Sequence, residues 1–209
     1  MKKPRLQPSA DRVRKPDLEK EGFSIPAARI LEPGVVEELI RDRQEREIDQ
    51  WDEVWEGVYV VPPLANNPHQ DLGTGICTVL YQVITLEGRG RVHGGANVSD
   101  RRAGWKKNYR CPDGVVVLNE SEAVDCGTHW FGGPDFLLET ESPGDESFAK
   151  IPFYGKIKVK ELLIIHRDNR EMHLFRHNGH ELVPVEPATS RGASGWSARS
   201  CRSPSAARR

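Results

Sequence analysis

The sequence predicts a mixed α/β (α+β) domain with the central order helix, strand, strand, strand, helix, strand, closed by a C-terminal β-hairpin. Three observations lead there. The stretch 67–87 opens with Asn67-Pro68 and repeats apolar residues at helical spacing. Short apolar runs at 115–118, 136–140 and 161–167 are bounded by Gly and Pro, which marks strands. Asn178-Gly179, the preferred two-residue hairpin turn, separates two alternating segments, 172–176 and 181–185. Alternation of helix and strand predicts a sheet with helices packed on it.

Residues 1–25 are rich in Pro and charge without periodicity, and are expected to be disordered. The segment 33–50 places Val35, Val36, Leu39, Ile40 and Ile48 among many charges, an amphipathic helix with a narrow apolar stripe. Glu56-Gly57 reads as a turn before a short strand, 58–61, which Pro62-Pro63 ends. In the helix 67–87, Asn67 is placed as N-cap, Pro68 at the first helical position and Gln70 at capping-box spacing. Leu72, Ile76, Val79, Leu80, Val83 and Ile84 form its expected core stripe, and Gly88 stops it. A strand over 89–99 leads into a basic loop, 100–110. The second core helix is expected over 145–156, with Pro152 near a kink. The predicted domain is 26–186; from Pro187 a Ser/Ala/Arg-rich basic tail has no core-forming residues.

The net charge of −1 conceals an uneven distribution. Of 30 basic and 31 acidic residues, the segments 1–21 and 187–209 hold 12 and 4, which leaves 18 and 27 in the remainder, a net of −9. An acidic core counts against general affinity for nucleic acid, which rests on Lys and Arg at phosphates. Two basic groups are nevertheless expected to flank the site: Arg101, Arg102, Lys106, Lys107 and Arg110 before Asp113, and Lys150, Lys156, Lys158 and Lys160 after Glu139. Four scattered cysteines without a CxxC pair, and a charged start with no apolar segment behind it, predict a reducing cytoplasmic setting. No apolar run reaches the roughly 18 residues of a membrane helix.

Asp113 opens one apolar run and Glu139 interrupts another. A carboxylate among apolar strand residues is costly to bury unless charge or hydrogen bonds compensate it. Two of them on neighbouring strands, with Lys150 nearby, fit a divalent-metal site that handles phosphate. Leu137, Glu139 and Glu141 fall on one strand face. The bland alternative is that Asp113 caps a turn after Pro112 and that both glutamates lie on an exposed face. Rival constellations are weaker. A hairpin turn separates His177 from His180, which disfavours a zinc set with His173, or with Cys126 and His129. Ser142 has no Gly-x-Ser-x-Gly context, and Gly88–Gly95 lacks a Walker ending.

Pro112-Asp113, the run Pro134-Asp135-Phe136-Leu137-Leu138-Glu139 with Ser142-Pro143, and Lys150 with Tyr154 resemble the Uma family of putative restriction endonucleases. Lys160 to Ile165, and upstream Glu56-Gly57, Pro62-Pro63 and His69-Gln70, fit the same pattern, so the resemblance spans about 51–185. That family is similar to the PD-(D/E)XK nuclease superfamily. The resemblance implies a restriction-endonuclease-like core, an Mg²⁺- or Mn²⁺-dependent hydrolase acting on DNA, and Asp113 and Glu139 as metal ligands. The superfamily lysine lies two residues after the second acid, where this chain has Glu141; Lys150 from the following helix is the matching substitute. Glu141, His69 and Gln70 are additional candidates, Gln70 more as a cap. The alternative is a degenerate nuclease fold that binds nucleic acid or protein. Double-strand cleavage from one site per subunit would favour a homodimer.

Overall fold

The computed structural model describes residues 27–186. The terminal segments read as disordered lie outside the described residues.

The described residues form two sheets. One runs β1 (Ala28–Ile30), β3 (Val58–Val61), β2 (Glu53–Trp55), β6 (Tyr109–Arg110), β5 (Val98–Ser99), β9 (Trp130–Phe131), β8 (Val124–Asp125). The other runs β13 (Leu182–Pro184), β12 (Met172–His177), β11 (Glu161–His166), β10 (Phe136–Glu141), β7 (Gly114–Leu118), β4 (Gly90–Gly94). The strands expected at 115–118, 136–140 and 161–167 and the C-terminal hairpin are where the sequence puts them, whereas the helix expected over 145–156 is α-helical only over its last six residues. Strands β10 and β11 pair in parallel, Phe136 with Glu161 through Glu141 with His166. Parallel neighbours need a crossover. It is made by a 3₁₀ turn at Ser147–Lys150 and the helix α3 (Ile151–Lys156). Pro152 causes no kink, because it sits in the first turn of α3, where its missing N–H has no helical partner to lose.

The expected strand 89–99 is two strands. The chain leaves one sheet at the end of β4, turns at Gly95 (φ +69°), and joins the other sheet as β5. It crosses back between β6 and β7, through Cys111-Pro112-Asp113. Asp113 therefore sits where the sheets diverge.

Helix α1 (Pro33–Glu45) stops five residues short of the expected end, and Glu47 turns the chain with φ 56°. Helix α2 (Asn67–Leu80) continues through a π-helical turn, Tyr81–Thr85, to Gly88. Its N-cap is Asn66 rather than Asn67: the Asn66 side chain accepts the His69 N–H at 3.2 Å. That shift removes Gln70 from the capping-box position. The expected core stripe is half realised. Gly73 is buried, whereas Val79 and Val83 are 59% and 49% exposed. Close approach sets this orientation: a Cβ on Gly73 would lie 3.8 Å from Thr140, and one on Gly114 would lie 3.0 Å from Cys77 Sγ. The face bearing Gly73 and Cys77 meets β10 and β7, so Val79 and Val83 turn outward.

Val98, Val115, Leu137, Tyr154, Val159, Leu162 and Ile164 are fully buried in one apolar cluster between the sheets and α3. Each such side chain contributes about 1.5–3 kcal/mol by leaving water, which is what holds the two sheets and the crossover together around the polar groups described next.

Candidate active site

Asp113 enters the site because β7 begins just after it. The antiparallel ladder of β7 and β10 ends at Gly114 with Leu138. Beyond it, Asp113 Oδ2 accepts the Thr140 N–H at 2.6 Å, so the carboxylate continues the ladder. Its other oxygen, Oδ1, lies 3.1 Å from His69 Nε2 at the start of α2. An ionised carboxylate only accepts, so Nε2 carries the hydrogen. Ser142 Oγ lies 3.1 Å from the other ring nitrogen, Nδ1. Burial works to raise Asp113, but the His69 hydrogen bond and charge, the Thr140 N–H and Lys150 outweigh it. The carboxyl is held below its ordinary range.

Glu139 is 3% exposed. Lys150 Nζ donates to both its oxygens, at 3.2 and 3.1 Å, and Tyr154 O–H donates to Oε1 at 2.5 Å. Burial pushes the Glu139 carboxyl above its ordinary value, Lys150 opposes this, and the charges of Asp113 and Glu53 add to it. The two residues four apart in sequence, Lys150 and Tyr154, thus meet the same carboxylate. The exposed-face alternative fails for Glu139.

Lys150 also lies 3.0 Å from Glu53 Oε1. Glu53 belongs to β2 in the opposite sheet and accepts from Trp55 Nε1 at 2.5 Å and from the Cys111 N–H at 2.8 Å. One ammonium therefore joins both sheets. Burial lowers the Lys150 pKa, but Glu139, Glu53, Asp145 and Asp113 overcome it, and the group stays well above the ordinary lysine range. Asp145 completes the acidic wall; burial raises it, with Lys150 opposing.

These groups line a cavity of about 520 Å³. Its wall carries Asp52, Glu53, Asp113, Glu139 and Asp145 against Arg43 and Lys150. Arg43 is taken by Asp52, with Nε–Oδ2 and Nη2–Oδ1 at 2.5 and 2.7 Å. Four carboxylates then remain around one ammonium, an excess of negative charge suited to a dication. Among the described residues no group of three or more His, Cys, Asp or Glu is placed to hold a metal. Mg²⁺ does not require one, since it takes one or two carboxylates and completes its shell with water and phosphate oxygens. Asp113 and Glu139 supply hard oxygen donors of that kind; both Asp113 oxygens and Glu139 Oε2 accept one hydrogen bond each and keep a lone pair, whereas Glu139 Oε1 is filled by Lys150 and Tyr154.

Of the sequence-based candidates, Asp113, Glu139, Lys150, His69 and Gln70 all border the cavity. Gln70 is exposed there, and its N–H makes the first helical bond, to Asn66 O at 3.0 Å. Glu141 does not line the cavity. It faces the charges of Asp145, His166 and His173 instead, and burial raises its pKa. It stands opposite His166 at the far end of the β10–β11 register, which carries it past the acidic wall. The expectation that basic groups flank the site is also corrected. Of the nine residues, Lys150 alone lines the cavity. Arg110 is buried, donating to Val54 O at 2.8 Å, and Lys156 and Lys160 pair with Asp100 and Asp135. Glu53 and Asp145 were not anticipated. Glu53 carried the same signal as Glu139, an acid inside an apolar run (Val54, Trp55), and Asp145 precedes Lys150 by five residues in one connection.

The two-sheet architecture has a counterpart among solved structures. A crystal structure from Anabaena variabilis ATCC 29413, described as a putative nuclease belonging to DUF820, superposes with a TM-score of 0.51 at 17% identity. The match covers 65% of this chain and 76% of that one. The chain belongs to the Uma2 family, described as putative restriction endonucleases, whose model matches residues 36–198. Comparison with curated proteins gave no match. Among the described residues no helix is long and apolar enough to cross a membrane.

Proposed function

We propose that this protein is an Mg²⁺- or Mn²⁺-dependent endonuclease that hydrolyses DNA phosphodiester bonds, with Asp113 and Glu139 as metal ligands and Lys150 as the transition-state cation. The carrying observation is the Lys150 ammonium, 3.0–3.2 Å from Glu53 and Glu139, in the same cavity as Asp113. A bound divalent ion supplies an activated water and neutralises charge on the scissile phosphate. The chain's own part is positional. His69 and the Thr140 N–H fix the Asp113 carboxylate and keep it ionised. Tyr154 and Lys150 fix Glu139. Lys150 holds a positive charge beside the place the phosphate must take, and its donors stabilise charge that builds there.

Titration calorimetry with Mg²⁺ and Mn²⁺, paired with DNA cleavage in metal and in EDTA, tests this. Metal binding with cleavage lost in EDTA is expected. Full activity in EDTA would sink the proposal. A second reading, a nuclease fold that only binds nucleic acid or protein, is favoured by Glu141 at the usual lysine position and by the net charge of −9 over 22–186. It predicts weak metal binding or none. A homodimer belongs to the endonuclease reading, and the exposed Val79, Val83 and Leu86 on α2 and its extension offer a face for it. Sedimentation tests that assembly. A cytoplasmic setting is part of the same proposal, and the unpaired Cys77, Cys111 and Cys126 among the described residues support it.

A further inference from the structure

The reacting groups are recessed. Glu139 and Lys150 are 3% and 7% exposed, so a phosphate must descend to them. A phosphate within a continuous duplex is held on the outside of a stacked column and cannot enter a concave site without its nucleotide leaving the stack. The cavity, about 520 Å³, falls within the roughly 300–1,000 Å³ typical of a site that encloses one small ligand.

The cavity wall also lacks what a duplex would grip. Both permanent cations that line it are engaged, Arg43 by Asp52 and Lys150 by Glu53 and Glu139. The basic residues 101–110 lie elsewhere. A row of cations along a phosphate backbone is the main source of duplex affinity, and it is missing from this wall.

What the wall does offer is aromatic surface. Trp51 and Tyr81 both line the cavity and are each 45% exposed. Trp51 is held in place: a Cβ on Gly95 would lie 2.1 Å from its Cζ3, so the indole edge packs on a backbone that only glycine leaves bare. Tyr81 starts the π-helical turn after α2. Such turns reposition side chains off the regular helical face. Fixed aromatic faces beside a phosphate-handling centre are how bases are held without sequence reading.

We infer that the substrate of this centre is DNA presenting an unpaired nucleotide, whose base stacks on Trp51 of the cavity wall while its phosphate reaches Asp113 and Glu139. The inference rests on the nuclease reading for the phosphate end and on Trp51 for the base end. Binding occurs at single strands; the concave shape of the site and the lack, among the described residues, of a cationic row on this cavity wall count against an intact duplex.

Fluorescence anisotropy with a labelled oligothymidylate and with a blunt hairpin duplex of the same length tests it, without any requirement for cleavage. The single strand is expected to bind at least about tenfold more tightly. Trp51→Ala should weaken that binding about 10- to 100-fold, the size of one lost base–aromatic stack, and Trp51→Phe should restore most of it. Tyr81→Ala provides a second variant, should Trp51→Ala fail to give the wild-type circular dichroism spectrum. Equal or tighter duplex binding, or single-strand binding indifferent to both aromatic changes, overturns the inference. Failure of the nuclease reading shows separately, as unchanged single-strand binding by the wild type with no cleavage in Mg²⁺ or Mn²⁺.

Discussion

Asp113 Oδ2 accepts the backbone N–H of Thr140, the residue next to Glu139, at 2.6 Å. The two carboxylates proposed as metal ligands are thus positioned by one strand, although 26 residues separate them in sequence. The contact gives a clean separation of structure from chemistry. Asp113→Asn keeps an acceptor for Thr140 but removes the charge; Asp113→Ala removes both. Cleavage should be lost in both variants. Denaturant unfolding should find the alanine variant about 1–3 kcal/mol less stable, the cost of an unpartnered buried N–H, and the asparagine variant close to wild type.

Lys150→Met leaves Glu53 and Glu139 buried without their shared cation. Breaking a buried pair from one side typically costs about 3–5 kcal/mol. Urea midpoints should fall accordingly, with activity abolished. Lowering the pH should recover part of the loss, because protonation discharges the stranded carboxylates.

The pH dependence of the metal-free protein follows from Glu139. Burial raises its folded value above the unfolded 4.5, so the folded state holds this proton more tightly. Its contribution to stability is complete below 4.5 and is lost as pH rises through the folded value. Glu139→Gln should therefore flatten the stability–pH curve above 4.5. Metal competes with the same proton, so calorimetric affinity for Mg²⁺ should rise with pH in the wild type. A wild-type curve that parallels the glutamine variant throughout would refute this.

His69→Ala removes the partner that orients Asp113 and holds its pKa down. Outer partners of metal ligands are typically worth 10- to 100-fold in affinity or activity. Titration calorimetry should show a loss of that order, with the thermal midpoint nearly unchanged, since the His69 ring lies at the cavity wall rather than in the apolar cluster.

The site was legible where local chemistry is unusual. Asp113, Glu139 and Lys150 stood out because acids inside apolar strands demand compensation, and the fold's order followed from periodicity and Gly/Pro punctuation. Glu53 carried the same signature but sits in a three-residue strand between tryptophans, too short for its alternation to register. The exchange of strands between sheets was not legible either. Gly94-Gly95 is a turn signal within 89–99, but it does not tell that the two halves join different sheets, because the partner strands are set by tertiary packing. The outward face of α2 and the dispersal of the basic residues have the same origin. Helical spacing shows that Val79 and Val83 share a side, but not that Gly73 and Cys77 claim the sheet.

Lys150 is grasped from β2 on one side and β10 on the other, and these strands belong to different sheets. Either sheet formed alone would lack half of the ammonium's anchorage. The candidate site is therefore complete only when both sheets are in place, and a loosening of either one would unmake it.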